Sequence, residues 1–589
     1  MVTLASQAEL VAKKRYYLKN DENEPVENSD QMFRRVADAV SSIETLYGKL
    51  PVETELSAND FHAMMSALDF VPNSPTLMNA GTEQGTLSAC FVIPLEDSME
   101  GIMKAAHDAA MVQKFGGGTG FALSKLRPKG DRIKSTHGIS CGPIEVLKTL
   151  SRVSSMITQG GKRDGANMAI MDVHHPNILE FIDCKAVEGD IHNFNISVGV
   201  TDDFMKAVKA GTRYSLINPR NNEVVDDLDA REVFNKMVYG AWRNGEPGMV
   251  FLDAINKDNK VESQFGRMIA TNPCGEQPLL GNESCNLGSI NLANFFIPTK
   301  FSSSSEPSLD WKSNIDWHNL DKTIRLATRF LDNVIDANHY ATPEIEAMTK
   351  ATRKIGLGVM GFADLLIQLR TGYDTESGRL IGNYLMGFVR DIADHESLRL
   401  GTSRGVFPAW AESEYVATDT KLRNACRLTV APTGTISMLA DTSSGIEPTF
   451  ALAWKKMNIL EGETVYYTNK YFEQDAKTYE FYSEDLMDYI SNGGSLKSRT
   501  DVPQWVKEVY TAYMLAWEEG CKGITVYRTG SREKEVLVKA GAESQTVLEG
   551  FEDVLSEIDD EVCCENAYLI EESGCVTCKS CGWSKCHIA

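Results

Sequence analysis

The run Thr271 to Leu292, TNPCGEQPLLGNESCNLGSINL, sets Cys274 two residues after Asn272 and two before Glu276, with Pro273 and Gly275 between. In an extended loop alternate side chains share a side, so amide, thiol and carboxylate are expected to face one way. A thiyl radical takes hydrogen from carbon, a carboxylate accepts the proton of the adjacent hydroxyl, and an amide orients that hydroxyl. The trio suits radical chemistry on a diol. An ordinary loop with a buried cysteine carries the same pattern, since free cysteine packs as a small hydrophobe. Cys285 follows eleven residues after Cys274, and Cys90 sits in Leu87-Ser-Ala-Cys-Phe-Val-Ile-Pro94. Two more thiols can supply two electrons by closing into a disulfide, although spacing alone does not pair them.

A second group of cysteines closes the chain: Cys575, Cys578, Cys581 and Cys586, with Cys563 and Cys564 upstream. Four thiolates at such spacings can hold zinc, with Cys575 and Cys578 the first candidates. An exposed pair among them can instead reduce another disulfide by exchange. Eleven acidic residues and no Lys or Arg lie between Ala540 and Cys578, which favours reach over rigidity.

Pro432-Thr-Gly-Thr-Ile-Ser437 reads as a tight turn opening a helix, which offers backbone N–H groups and a positive dipole end to phosphate. Gln159-Gly-Gly-Lys-Arg-Asp-Gly-Ala166 is glycine-rich but not a nucleoside-triphosphatase loop. Met156 stands where that motif needs glycine, and no Ser or Thr follows Lys162. His174 and His175 are adjacent and so do not suggest one metal ion between them.

These residues need a scaffold, and the pattern of the chain names its class. Phe33, Val36, Val40 and Ile43 recur at helical spacing within Gln31 to Leu50, so residues 1–70 are expected to be helical. From Val71 to Arg532 helical patterns alternate with short apolar runs and glycine turns, the signature of an α/β fold. Phe194 to Val200 (FNISVGV) is an expected strand, with a helix starting at Asp202, and residues 301–313 read as a loop. Residues 533–589 form the acidic linker and cysteine-dense end.

Composition excludes several classes. A net charge of −23 argues against a nucleic-acid polymer as partner. No apolar run reaches the ~18 residues of a membrane span, and no signal-type stretch follows Lys13, Lys14 and Arg15, so no membrane partner and a cytoplasmic location are expected. Thirteen cysteines in an untargeted chain point to catalytic, redox or metal roles rather than a disulfide framework.

Six segments, in order, resemble those of ribonucleotide reductase catalytic subunits: Asn73-Ser-Pro-Thr-Leu-Met-Asn-Ala-Gly81, Phe115-Gly-Gly-Gly-Thr-Gly-Phe121, Asn272-Pro-Cys-Gly-Glu276, Ser284-Cys-Asn-Leu-Gly-Ser-Ile-Asn-Leu292, Ile355-Gly-Leu-Gly-Val-Met-Gly-Phe-Ala-Asp364 and Ala431-Pro-Thr-Gly-Thr-Ile-Ser437. The resemblance implies a ten-stranded α/β barrel of two antiparallel five-stranded halves. A central finger loop, a helical N-terminal region and a flexible cysteine-rich tail accompany it. It implies that Cys274 carries the thiyl, Glu276 is the base on the 3'-hydroxyl, Asn272 holds the diol, and Cys90 and Cys285 are the redox pair. Ser74, Thr76, Ala89, Leu287, Pro432, Thr433, Gly434, Thr435 and Ile436 are then the substrate-binding positions. Asp97, Lys134, Gln159, Lys162 and Arg163 are the effector-binding ones, for dNTP or ATP at the interface of a homodimer. Cys581 and Cys586 resemble the family's shuttle pair, which a thioredoxin- or glutaredoxin-like reductant would serve. Only a short segment precedes Arg15, where the resemblance begins, so the ATP-binding cone of many relatives, and with it general shut-off by dATP, is expected to be absent.

Subunits fed by a separate radical-generating partner resemble one another in a pair of adjacent tyrosines where this chain has Tyr527 alone, between Gly523 and Arg532. The carboxy-terminal glycyl-radical signature is also missing. What remains is the adenosylcobalamin-dependent kind, which the His192-Asn-Phe-Asn-Ile-Ser197 and Gly116-Gly-Gly-Thr-Gly120 runs also resemble. No Asp-x-His-x-x-Gly motif occurs, so a histidine-ligated cobalt is not expected. A partner-dependent reductase and a nucleotide-sensing non-enzyme with a zinc tail stay open as alternatives.

Overall fold

The computed structural model describes residues 4–448 except 84, 135–136, 160–162, 187–188, 190, 299–310 and 374, and beyond these 453–460, 463–468, 470, 523–524, 537–539, 569–572, 575–578 and 584–586. Residues 1–541 make one compact unit and 542–589 another.

The first unit is built on a sheet whose described strands are β1 (Phe70–Pro72), β2 (Cys90–Val92), β3 (Gly118–Ala122), β4 (Asn167–Asp172), β5 (Phe194–Val200), β6 (Gly248–Phe251), β7 (Glu283–Asn291), β8 (Ile355–Met360) and β9 (Gly523–Ile524). Strands β2 to β6 are adjacent in chain order and all parallel. Helices cover their crossovers, among them α5 (Met99–Gln113) and α6 (Pro143–Ser155), as parallel connections require. Both edges of this five-stranded run meet antiparallel strands: β7 beside β2 and β9 beside β6. β8 runs parallel to β7, and Leu357 bridges Leu428 in parallel beyond it. The five parallel strands make one half-barrel; the second five-stranded half and the count of ten are not reached among the described residues, where the sheet has nine strands.

Alternation along the strands separates inside from outside. Ala169 and Met171 of β4 join Phe194, Ile196, Val198 and Val200 of β5 in the core under the outer helices. Met168 and Ile170 point the other way and pack with Val250, Leu252, Phe407 and Leu422. A small apolar cluster of Cys90, Val92, Ala122, Ala270, Leu279, Cys285, Leu287 and Ala431 fills the seam where the halves meet.

The N-terminal region is helical, as its spacing predicts: α1 (Ser6–Arg15), α2 (Ser29–Ser41) and α3 (Pro51–Ser66). Their apolar faces share one core with β1, β7, β8 and the long helix α7 (Trp317–Ala337). The helix expected over residues 31–50 ends earlier. Beyond Ser41 the chain tightens into a 3-10 turn, Ser42–Tyr47, closed by Gly48 in a left-handed conformation. That rotation leaves Ile43 half-buried and turns Glu44 inward instead. There Glu44 accepts hydrogen bonds from Arg329 and Arg404, both at 2.7 Å, and from Asn333 at 2.8 Å. Asp332 of α7, fully buried, binds Arg353 at 2.8 Å, Arg404 at 3.0 Å and Asn424 at 3.0 Å. Burial alone would raise the Asp332 carboxyl; Arg353, Arg423 and Arg404 outweigh it and hold it down to about 2. Among the described residues no helix is long and apolar enough to cross a membrane.

The second unit shows three antiparallel strands, Leu569–Glu572, Cys575–Cys578 and Ser584–Cys586, with Cys575 opposite Cys586.

Candidate active site

The loop that carries Cys274 is closed by its own flanks. Ala270–Thr271 pairs antiparallel with Pro278–Leu279, and Asn272 locks the neck twice. Its backbone N–H donates to the Gln277 carbonyl at 3.2 Å, and its side-chain oxygen accepts from the Gln277 N–H at 3.0 Å. Gly275 then turns the chain back with φ at 87°, a conformation that suits glycine, and its N–H reaches the Asn272 carbonyl at 3.1 Å. Cys274 sits exposed at the tip.

The loop lies directly over β3, and glycines in that strand make the approach possible. A Cβ at Gly120 would stand 1.7 Å from the Thr271 carbonyl oxygen, and one at Gly118 would stand 2.6 Å from the Pro273 ring. The Gly116-Gly-Gly-Thr-Gly120 run, read from resemblance as a mark of the cofactor class, therefore has a local steric reason. Gly358 of β8 does the same in the other half, where a Cβ would meet the Thr429 carbonyl at 2.2 Å. Thr429 in turn donates its hydroxyl to the Glu276 carbonyl at 2.8 Å.

Asn272, Glu276, Cys90 and Cys285 converge at the seam. The Asn272 amide nitrogen is 3.1 Å from the Cys90 Sγ, and that thiol is 4.0 Å from Glu276 Oε1. Cys90 and Cys285 are register partners on β2 and β7. Residues directly opposite in an antiparallel pair have Cα atoms about 4.5–5.5 Å apart, inside the range a disulfide accepts. Both thiols are free and buried. Burial pushes the Cys90 thiol well up, and Glu276, Cys285 and Cys274 add to the effect. Burial likewise raises Cys285. The Glu276 carboxyl is raised by desolvation against a smaller opposing effect from Asn272, and its Oε2 is shielded with no hydrogen-bond partner among the described residues. All three groups are thus biased toward their protonated forms, and one carboxyl oxygen is available to an incoming hydroxyl.

The expected phosphate turn is formed by Pro432 to Thr435 ahead of a single helical turn, Ile436–Leu439, with Thr433 at φ 54° and its hydroxyl accepting from the Gly445 N–H at 2.7 Å. Two residues that sequence reasoning missed reach this region from the end of α1. The Arg15 guanidinium donates to the Thr435 hydroxyl at 2.9 Å, and the Tyr16 hydroxyl lies 3.0 Å from that of Ser74. Their only signal in the sequence was a pair of polar groups at the end of a helix. Of the two hydroxyls expected beside the turn, Thr76 is fully buried, its hydroxyl 2.9 Å from both the Asn73 side-chain oxygen and the Leu87 carbonyl, either of which can take its one hydrogen. That leaves Ser74 as the one near the surface. Ala89 directly precedes Cys90 of β2, and Leu287 lies in β7 two residues past Cys285, its carbonyl accepting from the Asn73 N–H at 2.9 Å.

Of the expected effector positions, Asp97 is clamped by Arg127, whose Nε lies 3.0 and 2.8 Å from its two oxygens. Lys134 is exposed. Gln159 and Arg163 face each other in a two-stranded hairpin whose turn, with Lys162, lies outside the described residues. Tyr527 and Cys581 lie outside them as well. Cys578 is opposite Leu569, and Cys575 rather than Cys581 is the register partner of Cys586. His174 spends both ring nitrogens, on the Ser215 carbonyl at 2.9 Å and the Thr201 hydroxyl at 3.1 Å. Among the described residues no group of three or more His, Cys, Asp or Glu is placed to hold a metal.

Comparison with known proteins adds to this geometry. The sequence matches the ribonucleotide reductase all-alpha domain over residues 3–85 and the ribonucleotide reductase barrel domain over residues 88–422 and 417–525. It is 39% identical to a vitamin B12-dependent ribonucleoside-diphosphate reductase of Thermoplasma acidophilum, across 92% of this chain and 81% of that one. A protein of the same description from Mycobacterium tuberculosis is also 39% identical, across 91% of this chain and 81% of its own length. Among solved structures, the class Id ribonucleotide reductase alpha subunit of Actinobacillus ureae shares the fold, with a TM-score of 0.66 at 22% identity, over 85% of this chain and 84% of that one. With both domains matched and relatives of this identity covering most of its length, the chain belongs to the ribonucleotide reductase family.

Proposed function

We propose that this chain reduces ribonucleotides to 2'-deoxyribonucleotides by thiyl-radical chemistry, with Cys274 as the hydrogen-abstracting residue and adenosylcobalamin as the source of the radical. The observation that carries the reading is the gathering of Asn272, Glu276, Cys90 and Cys285 around the loop of Cys274 at one seam of the barrel. Vitamin B12 dependence stands in the descriptions of both relatives at 39% identity, and ribonucleoside diphosphates are the substrate class those descriptions carry.

The residues present fit such a cofactor. Cys274 is exposed at a loop tip, and beside it Gly275 has open space where a side chain would stand. A bulky group can therefore approach the thiol, with Cys274, Gly275 and the exposed Asn195 of β5 as the residues to face it. Bound there, adenosylcobalamin supplies the radical chemistry that removes the hydrogen atom of the Cys274 thiol.

The chain's own residues do the rest. The Cys274 thiyl takes hydrogen from the carbon bearing the 3'-hydroxyl, while Asn272 orients the diol and Glu276 accepts the hydroxyl proton. Cys90 gives its proton to the 2'-hydroxyl, which leaves as water. Cys90 and Cys285 lose two hydrogens in all and close into a disulfide, and Cys274 returns its hydrogen to the sugar. One water and one disulfide form per deoxynucleotide, so a dithiol must reopen the pair. We assign that relay to the cysteine-rich tail, Cys581 with Cys586, served by a thioredoxin- or glutaredoxin-like protein. Asp97, Lys134, Gln159, Lys162 and Arg163 are assigned to a specificity effector in a homodimer.

The test is turnover of ribonucleoside diphosphates by the full chain with adenosylcobalamin and a dithiol. Deoxynucleotide is expected, with none from Cys274→Ser. Turnover only when a second, metal-containing subunit is supplied would overturn the cofactor assignment.

A further inference from the structure

Fixing a radical-bearing sulfur requires more than closing the loop neck, because the two hydrogen bonds between Asn272 and Gln277 leave Pro273 to Gly275 outside any ladder. Pro273 has no N–H to contribute, and its carbonyl, one peptide before Cys274, is held from outside the loop. The Asn195 side-chain amide donates to it at 2.8 Å. Asn195 is the single exposed position of β5, where Phe194, Ile196, Val198 and Val200 are buried on the opposite face. It also lies in a row across three strands: Gly120 of β3 is the register partner of Met168 of β4, and Met168 that of Asn195. At one end of that row Gly120 lies against the Thr271 carbonyl; at the other Asn195 holds the Pro273 carbonyl. Gly118 backs the Pro273 ring, so the residue before the thiol is gripped by its ring and by its oxygen.

We propose that Asn195 is a positioning residue for the Cys274 thiol: its amide fixes the Pro273 carbonyl and thereby the direction in which the sulfur leaves the loop. The inference rests on the reading of Cys274 as the hydrogen-abstracting residue. The thiol has to serve both the radical source and the sugar carbon, and misplacement by about 1 Å costs such a reaction on the order of 10²-fold. The bond runs from a donor to a carbonyl, so an aspartate of the same size cannot replace it while ionised. Protonated, it can.

The experiment compares Asn195→Ala and Asn195→Asp with the parent full chain, and adds Cys274→Ser. Expected is a kcat lowered at least about tenfold with nucleotide KM within about twofold. The ratio of Asn195→Asp to parent activity should rise as pH falls from about 8 to about 5.5, as a carboxyl beside a carbonyl oxygen gains its proton. In the cofactor-free protein, hydrogen exchange at the Gly275 and Gln277 amides should quicken in both variants while the β4 amides stay unchanged. A kcat within twofold of the parent, a flat activity ratio across pH, or unaltered exchange at those two amides would each overturn the assignment. Turnover by Cys274→Ser would overturn the underlying reading as well; an inactive Cys274→Ser beside fully active Asn195 variants sinks only the role of Asn195.

Discussion

The closest approach in the site makes Gly120→Ala the sharpest probe of how the loop is held. An added Cβ would lie 1.7 Å from the Thr271 carbonyl oxygen, and the atom it meets is backbone, with no flexible side-chain end to swing away. Ordinary carbon-to-oxygen contact is about 3.3–3.6 Å, so strand and loop must separate by roughly 1.6 Å. β3 is held on both sides by β2 and β4, whereas the loop is attached through the short Ala270–Thr271 and Pro278–Leu279 pair. The loop is therefore the element that moves, and Cys274 at its tip moves with it.

Displacement on that scale costs turnover on the order of 10²-fold, equivalent to about 2.7 kcal/mol in the barrier. Overpacking of a tight site costs roughly 1–3 kcal/mol in stability. The assay is deoxynucleotide formation under saturating cofactor and dithiol, beside a melting curve. Gly387→Ala is the control, since that glycine lies inside a long helix with open space around its missing Cβ, and the change there should be neutral or slightly stabilising. A Gly120→Ala protein that melts like the parent and turns over within about twofold of it would refute the argument that this contact sets the sulfur.

Three further outcomes are expected. The Glu276 carboxyl is raised by desolvation, so the acid limb of kcat/KM should fall above the ordinary glutamate value of about 4.3; Glu276→Gln should lose that limb and roughly 10²–10⁴-fold in rate. Arg15→Met removes a cation from the Thr435 turn and should raise nucleotide KM about tenfold, as loss of a charged hydrogen bond does, with kcat little changed; an unchanged KM refutes a phosphate role. Asp332→Asn strands three arginines, and denaturant titration near neutral pH should show a loss of about 3–5 kcal/mol. The folded Asp332 carboxyl, at about 2, lies below its unfolded value. Its contribution is therefore full above about pH 4 and is lost as pH falls toward 2, so the gap between parent and variant should narrow by about 2–3 kcal/mol across that window.

Periodicity in the sequence located the elements because it reports which face of a segment is buried. The strand Phe194 to Val200 and the helix after Asp202 fall where alternation and capping place them. It misjudged residues 42–50, where a buried carboxylate and two arginines reward a tighter turn, a contact between segments far apart in the chain. The trio Asn272, Cys274 and Glu276 was picked out by alternation in an extended loop, but the loop turns back at Gly275, which leaves Asn272 buried and Cys274 exposed. The opposition of Cys90 to Cys285 was not legible: it depends on which strand joins the two halves of the barrel, and resemblance rather than spacing supplied it. Arg15, Tyr16 and Asn195 escaped notice because their partners lie 420, 58 and 78 residues away.

The electrostatics of the seam follow from the same packing. Cys90 and Cys285 lie among Val92, Ala122, Ala270, Leu279, Leu287 and Ala431, and this apolar surround raises both thiols and, beside them, Glu276. If Cys90 and Cys285 are the reductants proposed above, burial keeps them loaded with the hydrogen they must give up. In the proposed role as base Glu276 must lose its proton, and as an anion it raises Cys90 further. Ionisation of the base therefore strengthens the hold of Cys90 on its own proton until a departing hydroxyl can take it. In the proposed mechanism the carboxylate, 4.0 Å from that thiol, couples the two proton transfers, a coupling that the spacing of Asn272, Cys274 and Glu276 alone could not show because Cys90 comes from another strand.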